Sequence, residues 1–312
     1  MPEQSHMDDP LAPCRVCPRE CGVDRRAGET GFCGLDDALH VAWAGPHFGE
    51  EPCLSGTRGV GNVFFSGCNL ACVYCQNHQI SHQRVGDRVM DREEFADLAL
   101  DLEARGVHFL GLVTPSPQAP LVREALAHAK SRGLSLPVVY NTSAYDSVER
   151  LRALDGLVDV YLPDLKYAED AKAARYSGVE DYVGPARNAV LEMYRQAGDM
   201  EFDPETGLAR RGVWARHLVL PGGIAGTWET LCFLAFELST RIGLSVMAQY
   251  SPLCEAADYP ELARSLEPEE YEEAVAMARD LGFVHLLCQD LRDAPDNAVP
   301  DFSDEDRPFR RF

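Results

Sequence analysis

In the stretch FFSGCNLACVYCQNHQISH, residues 64–82, three cysteines stand at Cys68, Cys72 and Cys75, spaced by three residues and then by two after an apolar run. Thiolates grouped this closely bind metal. A structural zinc ion asks for four protein ligands, and His78 would complete a set of three sulfurs and one imidazole. A ferredoxin-type cluster asks for four cysteines, the last often distant and followed by proline, and no later cysteine here has that context. A cubane held by three thiolates leaves one iron without a protein ligand, and an open iron is a place for a substrate. A second group, Cys14, Cys17, Cys21 and Cys33, runs C-x2-C-x3-C-x11-C with glycines around the last member. Those four thiolates can wrap one zinc ion as a small knuckle, the glycines allowing tight turns, or can hold an auxiliary iron–sulfur cluster.

Composition narrows the setting. The 312 residues carry a net charge of −21, which repels phosphate backbones and anionic lipid, so neither nucleic acid nor a membrane surface is an expected partner. MPEQSHMDDPLAPC has no apolar core of signal-peptide length, and no run of about 18 apolar residues occurs, so a cytoplasmic protein is expected. Eleven cysteines in that compartment are metal ligands or reactive thiols rather than disulfides. Cys232, Cys254 and Cys288, scattered in apolar surroundings, read as buried small hydrophobes. The chain lacks a Gly-x4-Gly-Lys-Ser/Thr phosphate loop, a Gly-x-Ser-x-Gly elbow and a His-Glu-x-x-His zinc helix, so hydrolase and kinase readings have no support.

The elements that must position these cysteines alternate in type. GNVFFSG reads as a strand ending at Gly67, directly before the cysteine loop. A helix over 91–105 follows, with Asp91 as N-cap and Glu94 three residues on, and then the apolar strand HFLGLVTP. Pro120 opens a helix to Gly133, LPVVYNTSA is a strand, Ser147 caps the next helix, and VDVYLPDLKY is a strand. Residues 169–198 read as helical, VWARHLVLPGG as a strand, 228–242 as a helix closed by Gly243, LSVMAQYSP as a strand, and FVHLLC as a short extension of the sheet. Parallel strands joined by right-handed crossover helices predict an α/β protein with a partial (β/α)6 barrel and its chemistry at the C-terminal strand ends. The expected division is a tail and Cys-rich metal knuckle over 1–55, the barrel over 56–290, and an acidic, Pro-rich tail over 291–312 that is ordered on contact or disordered, a solvated tail being the plainer reading.

CNLACVYC, with the aromatic Tyr74 immediately before its last cysteine, resembles the signature of the radical S-adenosylmethionine (radical SAM) enzymes. More closely, the chain is similar to the pyruvate formate-lyase activating enzyme-like group of the PflX type. CRVCPRECGVDRRAGETGFCG, GTRGVGNVFFSGCN, VVYNTSAY, VDVYLPDLKY, RHLVLPGG and MAQYSP spread that likeness over nearly the whole length. The resemblance implies a [4Fe-4S] cluster on Cys68, Cys72 and Cys75 whose open iron chelates the amino and carboxylate groups of SAM. The reduced cluster would cleave the sulfonium C–S bond, and a 5′-deoxyadenosyl radical would abstract hydrogen from a substrate. It also implies an electron donor such as flavodoxin or ferredoxin, and suggests a glycyl residue of a partner protein as that substrate.

The same resemblance places SAM-binding groups at successive strand ends, with Tyr74 beside the cluster. Many relatives carry Gly-Gly-Glu at the second strand; this sequence has VTPSPQ, leaving Thr114 and the carbonyls near Pro115 for that role. Asn141 and Thr142 close the third strand, Asp164 and Lys166 match the family's Asp-x-Lys at the fourth, and Arg216 matches an arginine of the fifth. Gln249 and Tyr250 face substrate or pack, and His78 and His82 are solvated loop histidines or else shield the site or meet the electron donor. The rival from another class is a non-catalytic zinc-binding protein with one four-cysteine site and one site of three cysteines plus His78.

Overall fold

In the computed structural model, residues 9–291, 299–304 and 306–309 are described. The strands are β1 (Leu39–His47), β2 (Val60–Phe65), β3 (Arg88–Met90), β4 (Phe109–Val113), β5 (Val138–Thr142), β6 (Val160–Pro163), β7 (Glu201–Phe202), β8 (Ala209–Leu218), β9 (Gly243–Met247) and β10 (His285–Cys288). The helices are α1 (Pro52–Ser55), α2 (His78–Ser81), α3 (Arg92–Ala104), α4 (Ala119–Ser131), α5 (Val148–Arg152), α6 (Asp170–Ser177), α7 (Val183–Ala197), α8 (Thr227–Phe233) and α9 (Pro268–Asp280).

The sheet order is β10-β9-β8-β6-β5-β4-β2-β1-β3, with β7 at the side of β8. From β2 to β10 every neighbouring pair along this path is parallel, while β1 and β3 add an antiparallel wing beyond β2. The short FVHLLC segment thus supplies a seventh parallel strand beyond the six expected.

Period-2 alternation sorts each parallel strand between two cores. Val63, Phe65, Leu110, Leu112, Val138 and Tyr140 point outward and are covered by residues such as Phe95 and Leu102 of α3 and Val122 and Leu126 of α4. Val60, Phe109, Val139, Val160 and Trp214 point inward and close the N-terminal end of the barrel with Leu54 of α1. Two residues further along the same inner face come Asn62, Gly111, Asn141, Arg216 and Ser245. The inside therefore turns polar toward the C-terminal strand ends.

Local departures from the sequence reading have local causes. α3 begins with the expected Asp91–Glu94 capping box, but Ser147 precedes α5 without a capping bond from its side chain. The stretch 169–198 is two helices, α6 and α7, parted after Gly178 takes a left-handed conformation. α8 ends at Phe233 and passes into a wider turn at Leu234–Leu238; Gly243 opens β9 rather than closing the helix. Cys254 is exposed, and Cys232 and Cys288 are only half-buried, so these three are not core residues.

The solvated-tail expectation is corrected for 299–304 and 306–309; the rest of that segment after Leu291 lies outside the described residues. Phe302 is buried, and Phe302 and Phe309 pack against Phe64, with Phe309 also against Trp43. The Phe302 N–H donates to Gln79 Oε1 at 2.7 Å. These aromatic rings cover apolar surface at the open end of the barrel, which outweighs the acidic composition around them.

Candidate active site

The cysteine loop leaves β2 through Gly67 at φ +73°, where an added Cβ would stand 2.7 Å from the carbonyl oxygen of Cys33. Only glycine allows that turn and the close approach of the N-terminal segment together. The loop backbone then docks on the end of α6, Ala71 N–H donating to Ser177 O at 3.0 Å and Val73 N–H to Tyr176 O at 2.9 Å. Cys68, Cys72 and Cys75 line one lobe of a chamber, about 190 Å³. Burial pushes all three thiols upward, Cys75 to about 11. Each sulfur has a polar neighbour: Leu70 N–H donates to Cys68 Sγ at 3.4 Å, Ser177 Oγ–H to Cys72 Sγ at 3.0 Å, and Ser81 Oγ lies 3.3 Å from Cys75 Sγ.

This donor set suits a thiolate-bound cluster. Buried thiols that resist ionisation alone are stabilised as thiolates by a cationic metal group, and hydrogen bonds to sulfur are the usual accompaniment. Among the described residues no three His, Cys, Asp or Glu side chains gather closely enough to cage a single metal ion, at this loop or at the N-terminal cysteines. His78 lies with Nδ1 3.1 Å from the Cys75 carbonyl oxygen.

The strand ends complete the lobe. They are knitted laterally: Thr114 N–H donates to Asn141 O at 2.9 Å, Asp164 N–H to Thr142 O at 2.8 Å and Leu165 N–H to Arg216 O at 3.0 Å. Thr114 takes φ +60°, a conformation unfavourable for a β-branched residue and found where a site over-determines the backbone. Thr142 turns its hydroxyl away to the buried Asp146 and to Ser116, so it braces the rim rather than offering a free donor. Lys166 Nζ contacts Asp164 Oδ2 at 2.5 Å. Burial opposes the ammonium, but Asp164 and Cys72 outweigh it and raise the lysine pKa. The other carboxylate oxygen, Asp164 Oδ1, is buried without a partner. A cation and an orphaned acceptor side by side match the carboxylate and ammonium of an amino acid. Tyr74 also lines this lobe, its hydroxyl donating to Tyr167.

A larger lobe of about 350 Å³ adjoins, sharing Gln76, Asn77, Asn141, Arg216, Met247 and Gln249 with the first. Here the structure adds residues the sequence did not single out. Arg216 Nε and Nη2 donate to Glu51 at 2.8 and 2.7 Å, and Nη2 also bonds Glu50. Glu51 accepts from Ser245 Oγ at 2.8 Å, and Glu50 from Asn62 Nδ2 at 2.7 Å. Arg216 therefore reaches the chamber with two carboxylates already on it, leaving Nη1 as the end without a described partner. Asn62 lies over Gly111, where an added Cβ would meet Asn62 Oδ1 at 2.0 Å, so glycine at 111 makes room for the network. A carboxamide inside the apolar strand GNVFF was its one trace in the sequence. Gln249 meets Gln76 and Gln289 along the wall, while Tyr250 is buried with its hydroxyl on Leu262 O. Pro300 and Phe309 form part of the enclosure.

Cys14, Cys17, Cys21 and Cys33 surround a separate void of about 10 Å³ on the far side of the cysteine loop. Burial raises the Cys17 thiol to about 12 and that of Cys33 in the same direction. Arg19 clamps this segment to the cysteine loop, donating to Asn69 O at 2.5 Å and Gly178 O at 2.7 Å, with its guanidinium 3.3 Å from the Phe32 ring centroid.

The fold and the open-sided trio of thiols define a class, and comparison with known proteins agrees. The Radical SAM superfamily model matches residues 62–235, more than half of the chain, and the chain belongs to that superfamily. It is similar to two proteins of Methanocaldococcus jannaschii, both described as uncharacterized. MJ0674 is 29% identical over 274 residues, 85% of this chain and 74% of that one. MJ0808 is 25% identical over 294 residues, 88% and 79% of the two chains. The fold resembles Streptococcus suis SuiB bound to the precursor peptide SuiA, with a TM-score of 0.50 and 10% identity, over 72% of this chain and 47% of that one. Among the described residues no helix is long and apolar enough to cross a membrane.

Proposed function

We propose that this chain binds a [4Fe-4S] cluster on Cys68, Cys72 and Cys75 and cleaves S-adenosylmethionine beside it, abstracting hydrogen from a small substrate in the larger lobe. When bound, the cluster supplies one electron at low potential to the sulfonium, releasing methionine and a 5′-deoxyadenosyl radical. Asp164 and Lys166 hold the ammonium and carboxylate of the amino acid moiety, assisted by Thr114, Asn141 and the free end of Arg216. Thr142 keeps the rim in place, and Tyr74 packs beside the cofactor.

The reading rests on one juxtaposition: three thiols, Cys72 buried and Cys68 and Cys75 half-buried, each with a polar neighbour, share a lobe with an orphaned carboxylate oxygen and a lysine. Anaerobic reconstitution with iron and sulfide, reduction, and addition of SAM should yield 5′-deoxyadenosine and methionine. A reconstituted chain that binds about four irons and yields neither would overturn it.

Pro300 and Phe309 narrow the larger lobe, which supports a small molecule over the glycyl residue that an activating-enzyme relationship implies. The electron would come from a cytoplasmic donor such as flavodoxin or ferredoxin, docking near the exposed His82. Cys14, Cys17, Cys21 and Cys33 would hold zinc or a second iron–sulfur cluster. Metal analysis separates these: about four irons with one zinc, or about eight irons without it.

A further inference from the structure

Behind the cysteine loop a line of hydroxyls runs to one of the three sulfurs. Tyr74 Oη donates to Tyr167 Oη at 2.8 Å, Tyr167 Oη meets Ser177 Oγ at 2.8 Å, and Ser177 Oγ donates to Cys72 Sγ at 3.0 Å. All four residues are buried, Ser177 completely so. The sulfur end fixes the direction. Ser177 has one proton and it points at Cys72, so Tyr167 must donate to Ser177, and Tyr167 can then only accept from Tyr74. Three O–H dipoles thus point the same way, toward a sulfur at the cluster position. In a buried setting such aligned bonds polarise one another, each strengthening the next.

We propose that this chain of hydroxyls sets the reduction potential of the cluster, with Ser177 as the direct tuning group and Tyr167 and Tyr74 acting through it. The inference rests on the assignment of the cluster to Cys68, Cys72 and Cys75. Adding one electron from an external low-potential donor makes the thiolate-bound group more negative. A donor aimed at sulfur stabilises the reduced form more than the oxidised one and raises the potential. The loop backbone is tied to Tyr176 and Ser177 by its own hydrogen bonds, so removing the hydroxyl leaves Cys72 in place.

The test is a dithionite or titanium citrate titration of the reconstituted full chain, followed by the electron paramagnetic resonance signal of the reduced cluster. Ser177→Ala is expected to keep its iron and to lower the reduced-to-oxidised ratio at a fixed poise about tenfold, or about 59 mV for one electron. Tyr167→Phe, which leaves the serine proton in place, should shift the potential the same way by less, and Tyr74→Phe by less again. Ser177→Thr, which restores a hydroxyl, should return most of the potential. Iron retained with unshifted potentials in Ser177→Ala and Tyr167→Phe overturns the proposal. If Ser177→Ala loses its iron, Tyr167→Phe against the parent chain decides the matter alone. A parent chain that binds no cluster at Cys68, Cys72 and Cys75 removes the underlying assignment and this inference with it; a parent with a normal signal and insensitive variants removes only the inference.

Discussion

The two cysteine groups occupy opposite sides of one loop and are built on opposite plans. Cys68, Cys72 and Cys75 leave a buried strand, dock on α6, and open onto a chamber with polar groups across from them. Cys14, Cys17, Cys21 and Cys33 lie in a segment with little regular structure and close around a void near the size of one water molecule. The first group presents a face to a ligand, whereas the second folds inward on itself. Three thiols with free space beside them suit chemistry; four around a small void suit anchoring. Arg19 is where the two plans meet.

The largest expected effect tests that contrast directly. Cys72→Ala should abolish central iron binding and all 5′-deoxyadenosine formation, while Cys21→Ala should lose only the N-terminal metal and keep about four irons per chain. Iron analysis with product assay decides; equal loss in both would show that the two groups form one unit. Lys166→Ala comes next. Removing the cation leaves the half-buried Asp164 without its partner beside the proposed amino acid subsite, so SAM affinity should fall about tenfold or more, read by isothermal titration of the reconstituted chain. Arg19→Ala should cost about 1–3 kcal/mol of stability and lower the melting temperature by a few degrees, because it frees two carbonyls from a charged donor. No change would mean that the clamp is not mechanical.

The smallest effect lies far from either group. Glu270 is held down to about 2, first by Arg264 and then by the Glu267 and Gly222 amides, from an ordinary value of 4.5. A carboxylate with a depressed folded-state pKa adds stability that is present above about 4.5 and is lost as pH falls toward 2. Glu270→Gln should therefore flatten the acid limb of the melting profile slightly and leave the iron signal unchanged.

Much of this was legible in the sequence because β/α crossovers write themselves as near-contiguous apolar runs separated by capped helices. GNVFF, HFLGLV and LPVVYNT fell close to their observed strands, and the residues closing them are the ones that line the chamber. The hidden parts depend on contacts that no local pattern records. Glu50 and Glu51 look like a solvated acidic turn until β8 brings Arg216 from 165 residues away. HVAWAGPH, with its internal glycine and proline, gives a weak strand signal, yet β1 forms because β2 needs a neighbour. α9 carries a capping box, Glu267 with Glu270, that was there to be found. The hydroxyls of Tyr167 and Ser177, which lead to the Cys72 sulfur, belong to the segment after β6 and to the end of α6, which meet only in three dimensions.

The aromatic roof over the larger lobe has a consequence for how the molecule is made. Gln79 and Asp301, which pin it, are 222 residues apart in sequence. Contacts of such range carry the greatest closure entropy and form after local pairings. The barrel therefore closes before this roof does, and the mouth of the larger lobe is the last part of the chamber wall to be completed.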